Sequence, residues 1–390
     1  MLVTRWKIHK ILFVFCSAWF VFLCFLHYFS ARPLWLDENF ILNNIKRLSP
    51  AAIFGPLKNS QAFPRVYLAL IKYFSRIFNY SVFSLRLFPL ISMVSGFFIW
   101  AKVYKREFSS QANYLLTLFV FSGSYYLSYY AAELKHYSMD VLAMSIFCFY
   151  LTYQRQYLDS AKAPSKLFMG ATFLLPLTLL FSYSSFFVFW VVAYNFIFSV
   201  KNNSKFALFL AGYSFICFLF LIFIFFFDLR HTLSTAPLFS YWSDYFVDIS
   251  SLTEFFKTFG EGLRKLAVWW FGNSTFFRRA AFIFIPVFVF SLFKFGIKSI
   301  KENKFKFLDI NALALVVFIE LFILGILKKY PFTGGRITLF FAPFVFYLIV
   351  QGINSFKKIR PLYLSLIIFY IGFFLLCSLN SFLSYLRLYG

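Results

Sequence analysis

Apolar runs of about 20 residues recur from one end of this chain to the other, each long enough to cross a bilayer as a helix. Backbone polar groups have no water to bind inside lipid, so a spanning segment must satisfy them within itself, and helices do. Runs of this kind fall at about 11–30, 82–104, 111–129, 137–153, 167–181, 183–200, 206–227, 280–298, 309–327, 334–354 and 361–384. With 61% hydrophobic residues and 65 phenylalanines among 390, no soluble core could hide the apolar surface. The expectation is an all-α polytopic membrane protein with about eleven transmembrane helices, forming a single integral membrane domain over residues 1–390.

Charge then sets the expected topology. The chain has 38 Lys and Arg against 14 Asp and Glu, a net of +24. A soluble protein with that balance would suggest a nucleic-acid partner. Here the cations sit in short connections between apolar runs, where cytoplasmic bias and anionic lipid account for them, so the partner expected is the bilayer. With the N-terminus inside, the cytoplasmic series is Arg5/Lys7/Lys10, Lys105/Arg106, Arg155/Lys162/Lys166, Lys201/Lys205, Lys298/Lys301/Lys304/Lys306 and Lys357/Lys358/Arg360. The far-side connections are then 31–81, 130–136, 228–279 and 328–333. Loop 31–81 breaks the rule with Arg32, Lys46, Arg47, Lys58, Arg65, Lys72 and Arg76, so either the topology differs there or these cations have work in a structured loop. Within that loop, 64–78 has the pattern of an amphipathic interfacial helix.

Other classes have little to stand on. The five cysteines all lie in apolar stretches, and the four histidines have no zinc spacing. No internal repeat supports a transporter built from inverted halves. The first run reads as a retained anchor because it is long enough to span.

Acidic residues are scarce, and their positions are informative. Asp37 and Glu38 stand together just beyond the first span. One reading is a helix cap with a charge in its first turn. The other is a functional carboxylate pair, whose members diverge by about 100° on a helix and so address different partners. A second cluster, AAELKHYSMD at 131–140, brings Glu133, Lys135, His136 and Tyr137 to the same side by span parity, with Asp140 about a turn inside the membrane. A third, LKKYPFTGGRITLFFAP at 327–343, sets Lys328, Lys329 and Arg336 around a Pro and a Gly-Gly pair. The glycines allow close backbone approach, and an arginine fork matches phosphate oxygens. Gln61 and Arg86 are weaker polar points near membrane ends.

Carboxylates and cations on one membrane face suit transfer of a sugar from a polyprenyl phosphate. The phosphate is already a good leaving group. A carboxylate takes the acceptor hydroxyl proton as general base, and cations or a divalent metal such as Mg or Mn stabilise the departing phosphate. A Phe-rich bundle supplies a groove for the lipid tail.

The same residues carry a resemblance. W-L-D-E at 35–38, Q-A-F-P at 61–64, S-L-R-L-F-P-L at 84–90, E-L-K-H-Y-S-M-D at 133–140 and Y-P-F-x-G-G-R at 330–336 form an ordered series over roughly residues 5–350. That series resembles the GT-C glycosyltransferases of the family-39/83 type, which includes protein O-mannosyltransferases, the aminoarabinose transferase of lipid A and rhizobial lipopolysaccharide core transferases. The resemblance implies a GT-C-type bundle with juxtamembrane helices in the first outer loop. It puts the family's acidic pair on Asp37 and Glu38, its second-loop acid on Glu133, and its late phosphate-meeting cation on Arg336. The chain departs from some members in lacking a C-terminal soluble domain.

The expectation is therefore an inverting glycosyltransferase of the cytoplasmic membrane, active on the non-cytoplasmic face towards a lipid, glycan or protein acceptor. Asp37 is the expected base. Glu38 and Glu133 would position acceptor, sugar or metal, while Lys135, His136, Tyr137, Lys329, Arg336 and Gln61 would bind substrate or phosphate. Two rivals remain. A transporter or flippase needs polar residues near span centres, where Asp140 and Glu320 are the main exceptions. A lipid-linked glycan polymerase or ligase would use the cations of loop 228–279, namely Arg230, His231, Arg264, Arg278 and Arg279.

Overall fold

A computed structural model describes residues 2–158, 165–200, 204–233, 240–271, 279, 281–303 and 306–389. Lys162, Lys201, Arg278 and Lys304 lie outside the described residues. Among the described residues the secondary structure is helical, with no strand.

Among the described residues six helices are long and apolar enough to cross a membrane: Ile8–Phe29, Val82–Glu107, Phe206–Leu229, Ala281–Glu302, Arg336–Ser355 and Arg360–Leu379. The protein is a helical, multi-pass membrane protein. Three further apolar helices are shorter: Lys166–Phe181, Ser184–Val200 and Ile310–Ile326. The expected run at 111–129 is split, because the helix Gln111–Ser122 stops at Gly123 and a short helix, Tyr125–Tyr130, follows. Hydropathy registers such a run as continuous although its axis is broken. The span count of eleven is therefore not confirmed.

Local sequence accounts for several boundaries. Ser81, Ser165, Ser251 and Asp309 each stand just before a helix and accept a hydrogen bond from a first-turn amide. The break near Ser182 is real. Its hydroxyl donates to Asp140 Oδ1 at 2.6 Å, and the Ser184 amide donates to the same oxygen at 3.2 Å. Asp140, expected to be an expensive intramembrane acid, thus fastens the extended break between Phe181 and Ser184.

The core is aromatic. The Val82–Glu107 and Tyr137–Leu158 helices pack along each other, closely enough at Gly96 that a Cβ would lie 3.4 Å from the Leu142 backbone. Phe20, Phe97 and Phe121 meet at centroid distances of 4.7 and 5.3 Å, in stacked and edge-on pairs that favour the ring quadrupoles.

The segment 31–81 carries its own small core. Ile41, Ile45, Ile53, Phe63, Leu68 and Ile71 are buried together with Leu85 and Leu134. The amphipathic stretch at 64–78 forms the helix Arg65–Ile77, and two of its cations, Arg65 and Lys72, are buried. Lys72 Nζ donates to the carbonyls of Ile45 and Leu48 at 2.5 and 2.6 Å, closing the C-terminus of the helix Leu36–Arg47. Arg32 donates to the Ala132 carbonyl at 3.1 Å and lies over the Tyr129 ring at 3.8 Å. Arg65 donates to the Phe63 carbonyl and pairs with Asp228 at 3.8 Å. Arg32, Arg65 and Lys72 thus have structural work in segment 31–81, while Lys46, Arg47, Lys58 and Arg76 are exposed.

Candidate active site

Asp37 and Glu38 open the helix Leu36–Arg47, where negative charge complements the free amides of the first turn. The step of about 100° between them sends the two carboxylates in different directions. Glu38 turns into the protein and has no solvent exposure. Its Oε1 accepts from Arg86 Nε at 3.0 Å and from the Leu134 amide at 2.7 Å. Its Oε2 accepts from Arg86 Nη2 at 2.8 Å and from the Trp35 amide at 3.3 Å. Arg86 spends its remaining reach on the Arg32 carbonyl, at 2.9 Å. Glu38 thus ties three segments together and has no lone pair left for substrate or metal.

Asp37 turns the other way and keeps 20% side-chain exposure. Its Oδ2 pairs with Arg336 Nη1 at 2.8 Å and lies 4.0 Å from Lys135 Nζ. Lys135 Nζ also donates to Gln61 Oε1 at 2.6 Å. The Arg336 guanidinium sits 4.8 Å above the Trp35 ring, on the residue that precedes the helix. Three clusters separated by some 300 residues of sequence thereby meet at one carboxylate oxygen, as span parity suggested.

The loop carrying Arg336 is held by its own polar groups. Thr338 Oγ1 donates to the Thr333 carbonyl at 2.7 Å, and Tyr330 OH donates to the Ile337 carbonyl at 2.6 Å. The Phe332 amide donates to the Tyr245 carbonyl at 2.9 Å, fastening this loop to the 240s. At Gly334 a Cβ would fall 2.0 Å from the Lys265 carbonyl oxygen, so the absence of a side chain is what lets the loop seat. Lys328 has φ of 54°, and this left-handed turn brings Lys329 to the site.

Glu133 is buried behind these groups. Its Oε2 is 3.9 Å from Arg32 Nη2, and its Oε1 has no hydrogen-bond partner. Burial first, and then the neighbouring Glu38 carboxylate, push its pKa up to about 7 against the pull of Arg32, Arg336 and Lys135. Burial pulls Lys135 down to about 8, opposed by Asp37. His136 is held down to about 3 by burial and then by Lys135 and Arg336. It is a neutral ring at physiological pH, 3.6 Å from Asp140 and edge-on to Phe63 and Tyr183.

These side chains surround a cavity of about 870 Å³. Of the residues singled out in the sequence, Asp37, Gln61, Lys135, His136, Tyr137, Lys329 and Arg336 line it. Glu38 and Glu133 do not. The remaining wall is largely apolar, with Phe40, Phe186, Phe187, Trp242, Ile323 and Leu324. Such a combination of apolar lining and a few convergent polar groups is the usual character of a ligand site. Glu320, which the sequence assigns to the transporter alternative, also lines it, beside Ile323 and Leu324.

A metal site is not supported by the donor set. Glu38 is saturated by four hydrogen bonds, and among the described residues no three His, Cys, Asp or Glu side chains converge. Sequence reading also undervalued Arg86 as a membrane-end anchor. A lone arginine in the apolar frame S-L-R-L-F-P requires a buried acid, and that requirement was the available signal for its bond to Glu38.

No protein-family model, no curated protein and no solved structure matches the chain.

Proposed function

We propose that the protein is an integral membrane glycosyltransferase that uses a polyprenyl-phosphate sugar. The observation that carries this reading is the Asp37–Arg336 pair, at 2.8 Å, standing at the polar end of a cavity with an otherwise apolar wall. An amphiphilic donor with an anionic head and an isoprenoid tail has the same division of character. In this reading the helices form a GT-C-type bundle, the three shorter apolar helices together with Gln111–Ser122 and Tyr137–Leu158 bring the six long ones to about eleven spans, and the site opens on the non-cytoplasmic face of the cytoplasmic membrane.

The Asp37 carboxylate occupies the place in the Arg336 and Lys135 cradle that a donor phosphate would take. When donor binds, Arg336 turns its fork to the phosphate, and Lys135 and Lys329 add positive charge. Asp37, relieved of its strongest partner, becomes a better proton acceptor. The acceptor oxygen then attacks the anomeric carbon from the face opposite the phosphate. Its proton passes to Asp37, and the anomeric carbon–oxygen bond breaks with its electrons leaving on polyprenyl phosphate. The configuration inverts. Glu38 contributes by holding Asp37's helix in place through Arg86. No step requires a metal from the residues present.

Against the ligase reading, Arg230 and His231 line a separate outer groove with Phe223 and Phe227, and Arg264 pairs with Glu261. These cations do not enter the cavity. The test offers nanodisc-embedded protein two labelled donors, a monosaccharyl polyprenyl phosphate and a diphosphate-linked oligosaccharide. Release of polyprenyl phosphate from the first alone supports the proposal. Consumption of the second alone replaces it with the ligase reading.

A further inference from the structure

Glu320 is the only charged residue in the helix Ile310–Ile326, and a carboxyl group at that depth is costly unless it has a use. Its Oε1 accepts from the indole nitrogen of Trp190 at 2.6 Å. Its Oε2 is shielded from solvent and has no hydrogen-bond partner, although the residue lines the cavity. A fixed acceptor with an unsatisfied second oxygen is an incomplete hydrogen-bonding arrangement; the terminal torsion of a glutamate is soft, and a turn of the carboxyl group presents Oε2 to a ligand in the cavity, which completes it.

Its chemistry narrows the ligand. Placed against the donor phosphate, a carboxyl group would repel it, and the cations that suit phosphate gather elsewhere around Arg336. An isoprenoid tail offers it nothing to bind. A sugar hydroxyl both donates and accepts, so it satisfies Oε2 whether Glu320 is ionised or protonated. Trp242 and Tyr241 line the same cavity and provide flat amphipathic surface for a sugar ring.

We infer that Glu320, oriented by Trp190, forms an acceptor subsite for a hydroxyl-rich, sugar-like group inside the same cavity that holds the donor. This inference rests on the transferase reading for its name as an acceptor site, but its binding chemistry can be tested alone. The probe is radiolabelled hexyl β-glucoside, titrated without any sugar donor onto the full-length protein in nanodiscs. Hexylammonium is titrated in parallel.

Saturable glucoside binding is expected. Glu320→Leu weakens it at least tenfold, whereas Lys257→Gln, at an exposed residue outside the cavity, leaves it unchanged. Leucine suits the apolar helix, and Glu320→Leu/Trp190→Phe removes the orphaned indole donor as well, so a folding defect can be separated from lost recognition. Equal glucoside affinity in wild type and the double variant overturns the inference, as does saturable binding of hexylammonium with none of glucoside. If glucoside binds through Glu320 but no donor is ever consumed, the subsite stands and the transferase reading fails.

Discussion

Arg86 and Glu38, 48 positions apart, form a two-pronged ion pair with neither side chain exposed to solvent. Breaking such a pair strands a buried charge, which typically costs ~3–5 kcal/mol, whereas replacing both partners by apolar groups is far milder. Glu38→Gln and Arg86→Met should therefore each lower the melting temperature sharply in detergent, and Glu38→Leu/Arg86→Met should recover part of the loss. A Glu38→Gln protein that melts like wild type yet is inactive would move Glu38 from structure to chemistry.

Arg336 is expected to tolerate no substitute. Lysine keeps the charge but loses the fork and the contact over Trp35. Loss of charged hydrogen bonds of this kind, about 1.5–3 kcal/mol, corresponds to roughly ten- to hundredfold weaker donor binding for Arg336→Lys. Lys329→Ala, at an exposed residue, should weaken it only a few-fold. Equilibrium binding of a labelled polyprenyl-phosphate sugar measures both, and equal effects of the two variants would remove the special role of Arg336.

Gly334 and Gly335 make a matched control. A methyl group at Gly334 collides with the Lys265 backbone, while one at Gly335 meets nothing within 4 Å on extended backbone. Gly334→Ala should cost about 1–3 kcal/mol, as overpacking does, and reduce donor binding by displacing Arg336. Gly335→Ala should behave as wild type. Thermal melts and donor titrations of the two variants decide it.

The raised pKa of Glu133 predicts a pH dependence of stability. The unfolded chain releases this proton near 4.5, but the folded protein holds it until about 7. Between these values the folded state binds more protons, so stability falls as pH rises through the interval, and the loss is complete above it. Glu133→Gln mimics the protonated form. Its melting temperature should match wild type near pH 4.5 and exceed it at pH 8. A variant less stable than wild type at pH 8 would show that Arg32 and its neighbours outweigh burial.

Much of the site was legible because span parity is simple. It brought the 35–38, 133–137 and 329–336 segments to one side, and the structure joins them at Asp37. Parity says nothing about rotation, however. Which of two adjacent acids faces the cavity depends on what the opposite face of the helix Leu36–Arg47 packs against, and that face is buried by Ile41 and Ile45. Glu38 was thus read as chemistry where it serves as a tie. Span counting ran out for a related reason: hydropathy averages over a window and does not register the break at Gly123 or the 17-residue length of Ile310–Ile326. Glu320 was visible as an intramembrane acid, but only the fold shows that it shares a cavity with Asp37.

The central claim is that Asp37 is the base and is otherwise dispensable. The most direct test measures release of polyprenyl phosphate from a labelled donor by wild type and Asp37→Asn in nanodiscs, together with donor affinity. Loss of a general base should slow transfer by about 10²–10⁴-fold. Folding should be unaffected, and donor binding equal or tighter, because the carboxylate no longer competes for Arg336. Transfer by Asp37→Asn at the wild-type rate would contradict the account.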